Sequence, residues 1–326
     1  MLNLKTIYSM NKLFLMKKPE LFQGEKNLNT AKTYFEGWYF KNTNNKNGIS
    51  FIPGINIEPN NKKAFIQIIT NNESYFVDYN IKDFKYSFEP FCIKIGNNKF
   101  SEKGIYIDIK DIAQNLEVYG KIEYSNSKNI NTNILNPNIM GPFSYIPFME
   151  CNHAILSMQN NINGQININN NKINFDNNVG YIEKDWGCSF PKSYIWCQGN
   201  SFKKTNASFM LSIADIPFKL FDFTGIICVL MIDNKEFKFT TYNNTKLIKY
   251  KVDKNSLDIT LKKGSYYLNI KSTFNKGNKL AAPVKGKMSK EIFESISSLI
   301  TVTLKKDNTI IFSDTSTNCG LEIVQE

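Results

Sequence analysis

Hydrophobic and polar positions alternate along most of this chain. Runs in which every second residue is apolar, rich in β-branched and aromatic side chains, occur at residues 64–70, 104–110 and 256–261. Breaks rich in Asn and Gly separate such runs, as at residues 42–48 and 275–278. Short strands punctuated about every ten residues predict an all-β protein, an antiparallel sandwich or barrel.

A few segments depart from this alternation. The continuous apolar run at residues 223–232 predicts a buried strand. Residues 160–178 are rich in Asn, but their spaced Ile residues predict two strands with polar outer faces rather than a linker. Ser289 precedes Glu291 as a plausible N-cap and predicts a short helix from Ser289 to about Ile296. The N-terminal leader is a second helix candidate.

Length and composition predict a folded protein of one large or two ordinary domains. The chain has 326 residues, of which 42% are hydrophobic and 13% aromatic, so it has ample core material. No apolar run approaches the roughly 20 residues that a membrane-spanning helix needs. Residues 1–18 have neither a clean apolar core nor a small-residue cleavage site, so we expect no signal peptide and a cytoplasmic location.

A net charge of +11 favours an anionic partner, either nucleic acid or anionic lipid. The lysines are spread along the chain and no nucleic-acid-binding motif occurs, so we expect no nucleic-acid partner. The chain has no nucleotide-binding glycine motif, and the spacing around its single histidine matches no usual zinc site. We therefore expect neither a cofactor nor a metal.

Four segments hold the candidate chemistry: residues 34–41, 140–153, 180–191 and 194–202. They contain all three Trp residues and the only His. Aromatic side chains beside isolated carboxylates are typical of an apolar pocket with a few polar groups.

Strand alternation places Glu183 and Asp185 on one face with Tyr181, roughly 6 to 7 Å apart. In an apolar environment two such carboxylates do not ionise easily together, so one is expected to have a raised pKa and to donate a proton near neutral pH. Alternatively, they form structural ion pairs with lysines or cap a turn at Gly187. His153 is either part of this chemistry or a neutral wall residue.

These segments resemble the tocopherol cyclase family. The matching motifs, in the family's order, are Phe-Gln-Gly (22–24), Tyr-Phe-Glu-Gly-Trp-Tyr-Phe-Lys (34–41), Phe-Ile-Pro-Gly (51–54), Gly-Pro-Phe-Ser…Pro-x-Met-Glu-Cys-x-His (141–153), Gly-Tyr-Ile-Glu-Lys-Asp-Trp-Gly-x-Ser-Phe-Pro (180–191), Trp-x-Gln-x-Asn-x-Phe (196–202) and Ala-Pro…Gly-x-Met…Glu-Ser (282–295). The resemblance covers residues 18–326.

The resemblance implies two lipocalin-like antiparallel β-barrels packed together, with few short helices. We place the first in residues 18–192 and the second in residues 193–326, after a leader of residues 1–17. The resemblance also implies a lipophilic prenylated hydroquinone as substrate. The family reaction adds the phenol across the prenyl double bond and closes a chromanol ring, with no redox cofactor.

Such a reaction needs an acid, an aromatic wall for a carbocation and exclusion of water. From their chemistry, Asp185 or Glu183 is expected to be the acid, and Glu150 or His153 to orient or deprotonate the phenol. The expected substrate contacts are Glu36, Trp38, Tyr39, Phe143, Tyr181, Trp186, Trp196, Gln198 and Asn200.

Two other functions fit the same residues. One is a non-catalytic carrier of isoprenoids or other lipids, and the other is an isoprenoid hydratase that adds water to the protonated alkene. Because the ligand partitions into lipid and the protein is cationic, peripheral contact with the inner membrane surface is also expected.

Overall fold

The computed structural model describes residues 15–147, 149–218 and 221–325. Within these ranges the predicted all-β class is confirmed. The helices are short: an α-helix, α1 (Glu25–Thr30), and 3₁₀ turns at Ile81–Asp83, Gly141–Tyr145 and Thr241–Asn243. In the described part of the chain, no helix is both long and apolar enough to cross a membrane.

The first antiparallel sheet, sheet 1, is built from the N-terminal half of the chain. Its strands are β1 (Tyr34–Thr43), β2 (Gly48–Glu58), β3 (Asn61–Thr70), β4 (Ser74–Asn80), β5 (Phe84–Phe88), β6 (Phe91–Ile95), β7 (Asn98–Ser101), β8 (Gly104–Asp111), β9 (Leu116–Lys128), β10 (Cys151–Ile168), β11 (Asn171–Asn174) and β12 (Asn178–Gly187). The spatial order is β4-β3-β2-β1-β12-β10-β9-β8-β7-β6-β5, with β11 paired to β10.

The second antiparallel sheet, sheet 2, follows it in the chain. Its strands are β13 (Tyr194–Gly199), β14 (Ser201–Phe202), β15 (Ala207–Phe218), β16 (Phe221–Ile232), β17 (Lys235–Thr240), β18 (Lys246–Asp253), β19 (Ser256–Lys263), β20 (Tyr266–Thr273), β21 (Asn278–Val284), β22 (Lys287–Lys306) and β23 (Thr309–Val324). The order is β17-β16-β15-β13-β23-β22-β20-β19-β18, with β14 paired to β23 and β21 to β22.

The sequence pattern explains these strands locally. In β8, Ile105, Ile107 and Ile109 are buried while the residues between them are exposed, which is the period of a strand with one face on a core. Asn169 and Asn170 both have positive φ and join β10 to β11, as a two-residue hairpin turn requires. The two strands predicted in the Asn-rich segment are therefore present, as is the buried strand predicted at 223–232.

Each sheet curls around a hydrophobic core of its own. In sheet 1, Val77 on one edge strand and Phe84 on the other belong to the same core. Within the described ranges, no backbone ladder joins β4 to β5 or β17 to β18, so neither curled sheet closes into a barrel. A third core lies between the sheets and contains Tyr39 of sheet 1 with Trp196 and Ile292 of sheet 2.

The predicted helix from Ser289 to Ile296 is wrong, because this segment is part of β22. Its inward residues Ile292, Glu294 and Ile296 recur with period 2, and ladders to β21 and β23 satisfy its backbone on both sides. Most of the predicted leader, residues 1–14, lies outside the described residues. The connection between the two sheets runs over residues 188–193, where the sequence analysis placed the domain boundary.

Candidate functional site

A mostly apolar cavity of about 180 Å³ lies between sheet 1 and sheet 2. Sheet 1 contributes the faces of β1, β2, β3, β10 and β12 that are turned toward sheet 2, and sheet 2 contributes β13, β15, β16, β21, β22 and β23. Phe190 and Pro191 of the connection between the sheets also line the cavity. The segment around Phe143 and the 3₁₀ turn at Thr241–Asn243 complete the wall. The few polar groups on this wall are concentrated on the strands at the centre of each sheet.

Strand register brings the sheet 1 groups together. His153 on β10 lies directly opposite Asp185 on β12, and Tyr39 on β1 lies opposite Glu183. Because side chains alternate between faces with period 2, Glu183 and Asp185 point into the same space. Gly37 lies opposite Asp185 on β1 and leaves the space above this carboxylate without a side chain.

His153 lies between the two carboxylates. Its Nδ1 is 2.9 Å from Asp185 Oδ1, and its Nε2 is 3.5 Å from Glu183 Oε2. Nε2 is buried and forms no hydrogen bond with the described residues, so the Glu183 carboxyl group at 3.5 Å is its charged neighbour. The imidazole is 12% exposed, so both contacts lie in a medium of low dielectric constant.

The pKa values of His153 and Glu183 are both raised in this cluster. Burial alone lowers the pKa of His153, but the charges of Asp185 and Glu183 outweigh it and raise that pKa to about 9. Burial raises the pKa of Glu183 to about 7, against the opposing effect of His153. At neutral pH the ring is therefore a cation, and Glu183 is poised between its acid and its carboxylate.

Two further groups, one on sheet 1 and one on sheet 2, donate hydrogen bonds to the Glu183 carboxyl group. Tyr181 Oη donates to Glu183 Oε2 at 2.6 Å, and Trp196 Nε1 donates to the same oxygen at 3.2 Å. Both hydrogen bonds lower the pKa of Glu183, which keeps it near neutrality in spite of burial. Trp196 belongs to β13, so this bond links the two sheets through the site.

A second carboxyl group faces the cavity from sheet 2. Glu322 on β23 lines the wall beside Trp196, its neighbour across the β13–β23 ladder. Tyr194 Oη donates to Glu322 Oε2 at 2.6 Å. Behind it, Glu294 Oε1 accepts a hydrogen bond from Tyr39 Oη at 2.5 Å. The site thus contains acidic groups on both walls.

The structure brings together only part of the predicted set. Asp185, Glu183 and His153 meet, but Glu150 is exposed outside the cavity, and its backbone carbonyl accepts hydrogen bonds from the amides of Cys188 and Ser189. Because Glu150 precedes β10 in a bend, strand alternation does not position its side chain. The structure therefore gives Glu150 no part in the site.

Among the predicted substrate contacts, Tyr39, Phe143 and Trp196 line the cavity, and Tyr181 lies behind Glu183. The others lie elsewhere, which corrects that part of the prediction: Glu36, Trp38, Trp186, Gln198 and Asn200.

Glu36, Trp38 and Trp186 lie on the face of sheet 1 opposite the cavity. There Glu36 forms a buried ion pair of 2.5 Å with Lys184, whose ammonium lies over the rings of Trp38 and Trp186. These residues alternate with the cavity-facing ones, so a strand cannot place both sets on the cavity.

The two amides are buried between the sheets. Gln198 accepts a hydrogen bond from Lys41 at 2.7 Å, and Asn200 donates to the carbonyl of Gly180 at 3.0 Å. They join the two sheets rather than line the cavity.

Glu322, Glu294 and Tyr194 were not predicted as site residues, although Tyr194 and Glu294 lie within segments that the sequence analysis singled out. For Glu322 a signal was available, since it is an isolated acid in an apolar stretch, Leu321-Glu322-Ile323, whereas Glu294 lies among both polar and apolar residues. A buried strand rarely carries an unpaired carboxylate without a reason.

One set of donors could approach a metal ion. The donor atoms of His153, Glu183 and Asp185 all lie within 4.8 Å of one another. However, the carboxylates approach different nitrogens of the same ring, so a cation bound at one nitrogen would lose the other contact. This geometry fits a hydrogen-bonded acid–base cluster better than a shared ion.

Comparison with known proteins agrees with this architecture. A family model described as tocopherol cyclase-like matches residues 123–324. No curated protein matches the chain. Kievitone hydratase from Nectria haematococca is similar in structure, with 12% identity over 93% of each chain and a TM-score of 0.51. CghA with Sch210972 shares 8% identity over 90% of this chain and 89% of its own, with a TM-score of 0.53. These similarities confirm the lipocalin-like class.

Proposed function

Since this chain belongs to the tocopherol cyclase-like family, we propose that it closes a chromanol ring on a prenylated hydroquinone by protonating the prenyl double bond. The observation that carries the proposal is Glu183, a buried carboxyl group that faces an apolar cavity with a pKa of about 7. A carboxyl group in this state can hold and donate a proton near neutral pH.

Three groups of the cluster are candidates for the acid. The His153 imidazolium, with a pKa of about 9, holds its proton more tightly than Glu183, whose pKa is about 7. Asp185 is paired with the charged ring at 2.9 Å. Glu183 is therefore the proton donor, and His153 with Asp185 positions it.

The wall around Glu183 suits the cation that protonation creates. A tertiary carbocation is stabilised by the faces of aromatic rings and destroyed by water. Tyr39 and Trp196 lie on the wall with ring centres 5.3 Å apart, and Phe143 stacks on Phe223 at 5.6 Å. These rings also match a hydrophobic prenyl chain as ligand.

The experiment is incubation of the purified protein with hydroquinones that carry a prenyl chain, followed by chiral chromatography of the chromanols. We expect one enantiomer from the wild-type protein and almost none from Glu183→Gln. The matched control is Glu291→Gln, an exposed carboxyl group on β22 that is 55% accessible. Equal activity of Glu183→Gln and wild type would show that another group is the acid.

Addition of water is the second candidate, because the same protonation step serves both reactions. In that case the product retains its free phenol and gains the mass of one water molecule. A carrier without catalysis is a third candidate, although a desolvated Glu183 on the wall favours an enzyme over a carrier. Mass spectrometry of the bound and released ligand distinguishes the three.

A lipophilic ligand of this kind resides in membranes, so we also propose that the protein collects it at an anionic membrane surface. The net charge of +11 supports such contact. Sedimentation with vesicles of anionic and of neutral lipid tests it. Binding to anionic vesicles that weakens with added salt is the expected result, and equal binding to neutral vesicles would contradict the electrostatic argument.

A further inference from the structure

Two glutamates face each other across a ladder of sheet 2 at the edge of the cavity. Glu294 on β22 is the direct partner of Glu322 on β23. Directly opposed side chains of an antiparallel pair have Cβ atoms about 4.5 to 5.5 Å apart, so the two side chains are immediate neighbours on one face of sheet 2. Glu294 is fully buried, whereas the accessible surface of Glu322 faces the cavity.

The hydrogen bonds of this pair are incomplete without a proton. Tyr39 donates to Glu294 Oε1 and itself accepts from Ser50 Oγ at 2.9 Å. Tyr194 donates to Glu322 Oε2 at 2.6 Å. Glu294 Oε2 is buried and has no partner among the described residues. Because two bare carboxylates repel and an unsatisfied buried oxygen is costly, one proton held between the groups solves both problems.

The surroundings decide which group holds that proton. Burial, and then the charge of Glu322, raises the pKa of Glu294 well above its usual range. Burial raises the pKa of Glu322 to about 7; the hydrogen bond from Tyr194 lowers it, and the charges of Glu183 and Asp185 raise it further. The buried ammonium of Lys41 donates to Gln198 rather than pairing fully with Glu294. Glu294 therefore holds the proton more tightly, and Glu322 is the member of the pair that ionises, as the pH rises through about 7.

We propose that Glu322 is the general base of this site: its carboxylate, held by Tyr194 and by the proton on Glu294, accepts the hydroxyl proton of the ligand. This assignment rests on the proposed function, in which the phenolic proton of the ligand still needs an acceptor. Glu183 on sheet 1 and Glu322 on sheet 2 then act from opposite walls of one cavity.

The proton balance of the reaction is closed by this pair of roles. The Glu183 carboxylic acid gives its proton to one alkene carbon, and the π electrons form the new C–H bond. The phenolic oxygen forms the C–O bond to the resulting cation, and its O–H proton passes to Glu322. The ligand is isomerised with no gain or loss of atoms, and exchange with solvent returns the proton from Glu322 to Glu183.

A binding experiment tests the role of Glu322 without requiring turnover. The probes are an alkylphenol whose chain is saturated, so that it cannot cyclise, and its O-methyl ether, which has no proton to donate. Calorimetry gives both dissociation constants. A hydrogen bond to a carboxylate predicts that the wild type binds the phenol at least about tenfold more tightly than the ether.

Glu322→Met should reduce that preference to near unity, because the acceptor is removed while the side-chain length is kept. Exposed Glu291→Gln should retain it. In the cyclisation assay, Glu322→Gln should lose at least about 100-fold in turnover while still binding the phenol, as expected for a missing base. A wild-type preference that survives Glu322→Met, or full turnover by Glu322→Gln, would overturn the assignment.

Infrared spectroscopy tests the shared proton independently. At mildly alkaline pH, above the pKa values of Glu183 and Glu322, the carbonyl band of a protonated carboxyl group should persist in the wild type. It should disappear in Glu294→Gln and remain in Glu291→Gln. A band unaffected by Glu294→Gln would refute the pair. If neither probe binds the wild type, the ligand class of the proposed function fails, and the infrared result still decides on the shared proton.

Discussion

The charge state of His153 can be measured directly, because it is the only histidine in the chain. Its imidazole gives a single set of ring resonances in ¹⁵N-labelled protein, so no assignment by mutation is needed. We predict that this ring titrates near pH 9, against an ordinary value of 6.5. The perturbation is Asp185→Asn, which keeps the shape of the side chain and removes the charge closest to the ring, at 2.9 Å.

The size of the effect follows from the structure. An opposite charge at this distance changes a pKa by about 1–3 units, so Asp185→Asn should bring the titration of His153 down by that amount. Glu183→Gln should have a smaller effect, since Glu183 lies farther from the ring, at 3.5 Å, and contributes less than Asp185 to the raised pKa. Asp78→Asn, at an exposed ion pair of sheet 1, is the matched control and should change nothing.

The same titration has a consequence for stability. The folded pKa exceeds the ordinary value by 9 − 6.5 = 2.5 units, and at about 1.4 kcal/mol per unit this corresponds to about 3 kcal/mol. Because folding favours the protonated ring, this stabilisation is fully present below pH 6.5 and is lost as the pH rises through about 9. A His153 pKa at or below 6.5, or a pKa that does not change in Asp185→Asn, would refute the cluster as described.

Three further predictions address the acid, the packing and the frame of the site. Glu183→Gln should lower cyclising turnover by at least about 100-fold while calorimetry still detects ligand binding, and loss of binding as well would point to a structural role. Gly320→Ala should cost about 1–3 kcal/mol in urea unfolding through overpacking, because the added Cβ would lie 2.6 Å from the Trp196 ring; wild-type stability would mean that the ring yields freely. Lys184→Met should cost about 3–5 kcal/mol in the same assay by leaving its carboxylate partner buried and unpaired. Exposed Lys121→Met should cost much less, and equal losses would contradict the buried pair.

Alternation along the chain was enough to predict the fold class, because period 2 with Asn-rich turns has few other solutions. It failed at residues 289–296, where a plausible N-cap resembled a helix start. The ladders to β21 and β23 decide that segment, and neither is visible in a local window. Barrel closure also could not be read from the pattern, since it depends on how the sheet edges meet.

The candidate site was predictable to the extent that it is local. Glu183 and Asp185 share a face because they are two residues apart, and this needs only strand geometry. Their meeting with His153 depends on the register between β10 and β12, to which the family motifs pointed without fixing it. Glu322 comes from a strand more than 130 residues later in the chain (322 − 185 = 137), so no local pattern joins it to the others.

In the proposed reaction, Glu183 protonates a prenyl double bond of a ligand held in this cavity. The most direct measurement is the enantiomeric composition of chromanol formed from prenylated hydroquinones by wild-type protein and by Glu183→Gln. We predict a single enantiomer from the wild type and only the racemic background from the variant. Racemic product at the buffer rate from wild-type protein that has bound the ligand would contradict the proposed reaction.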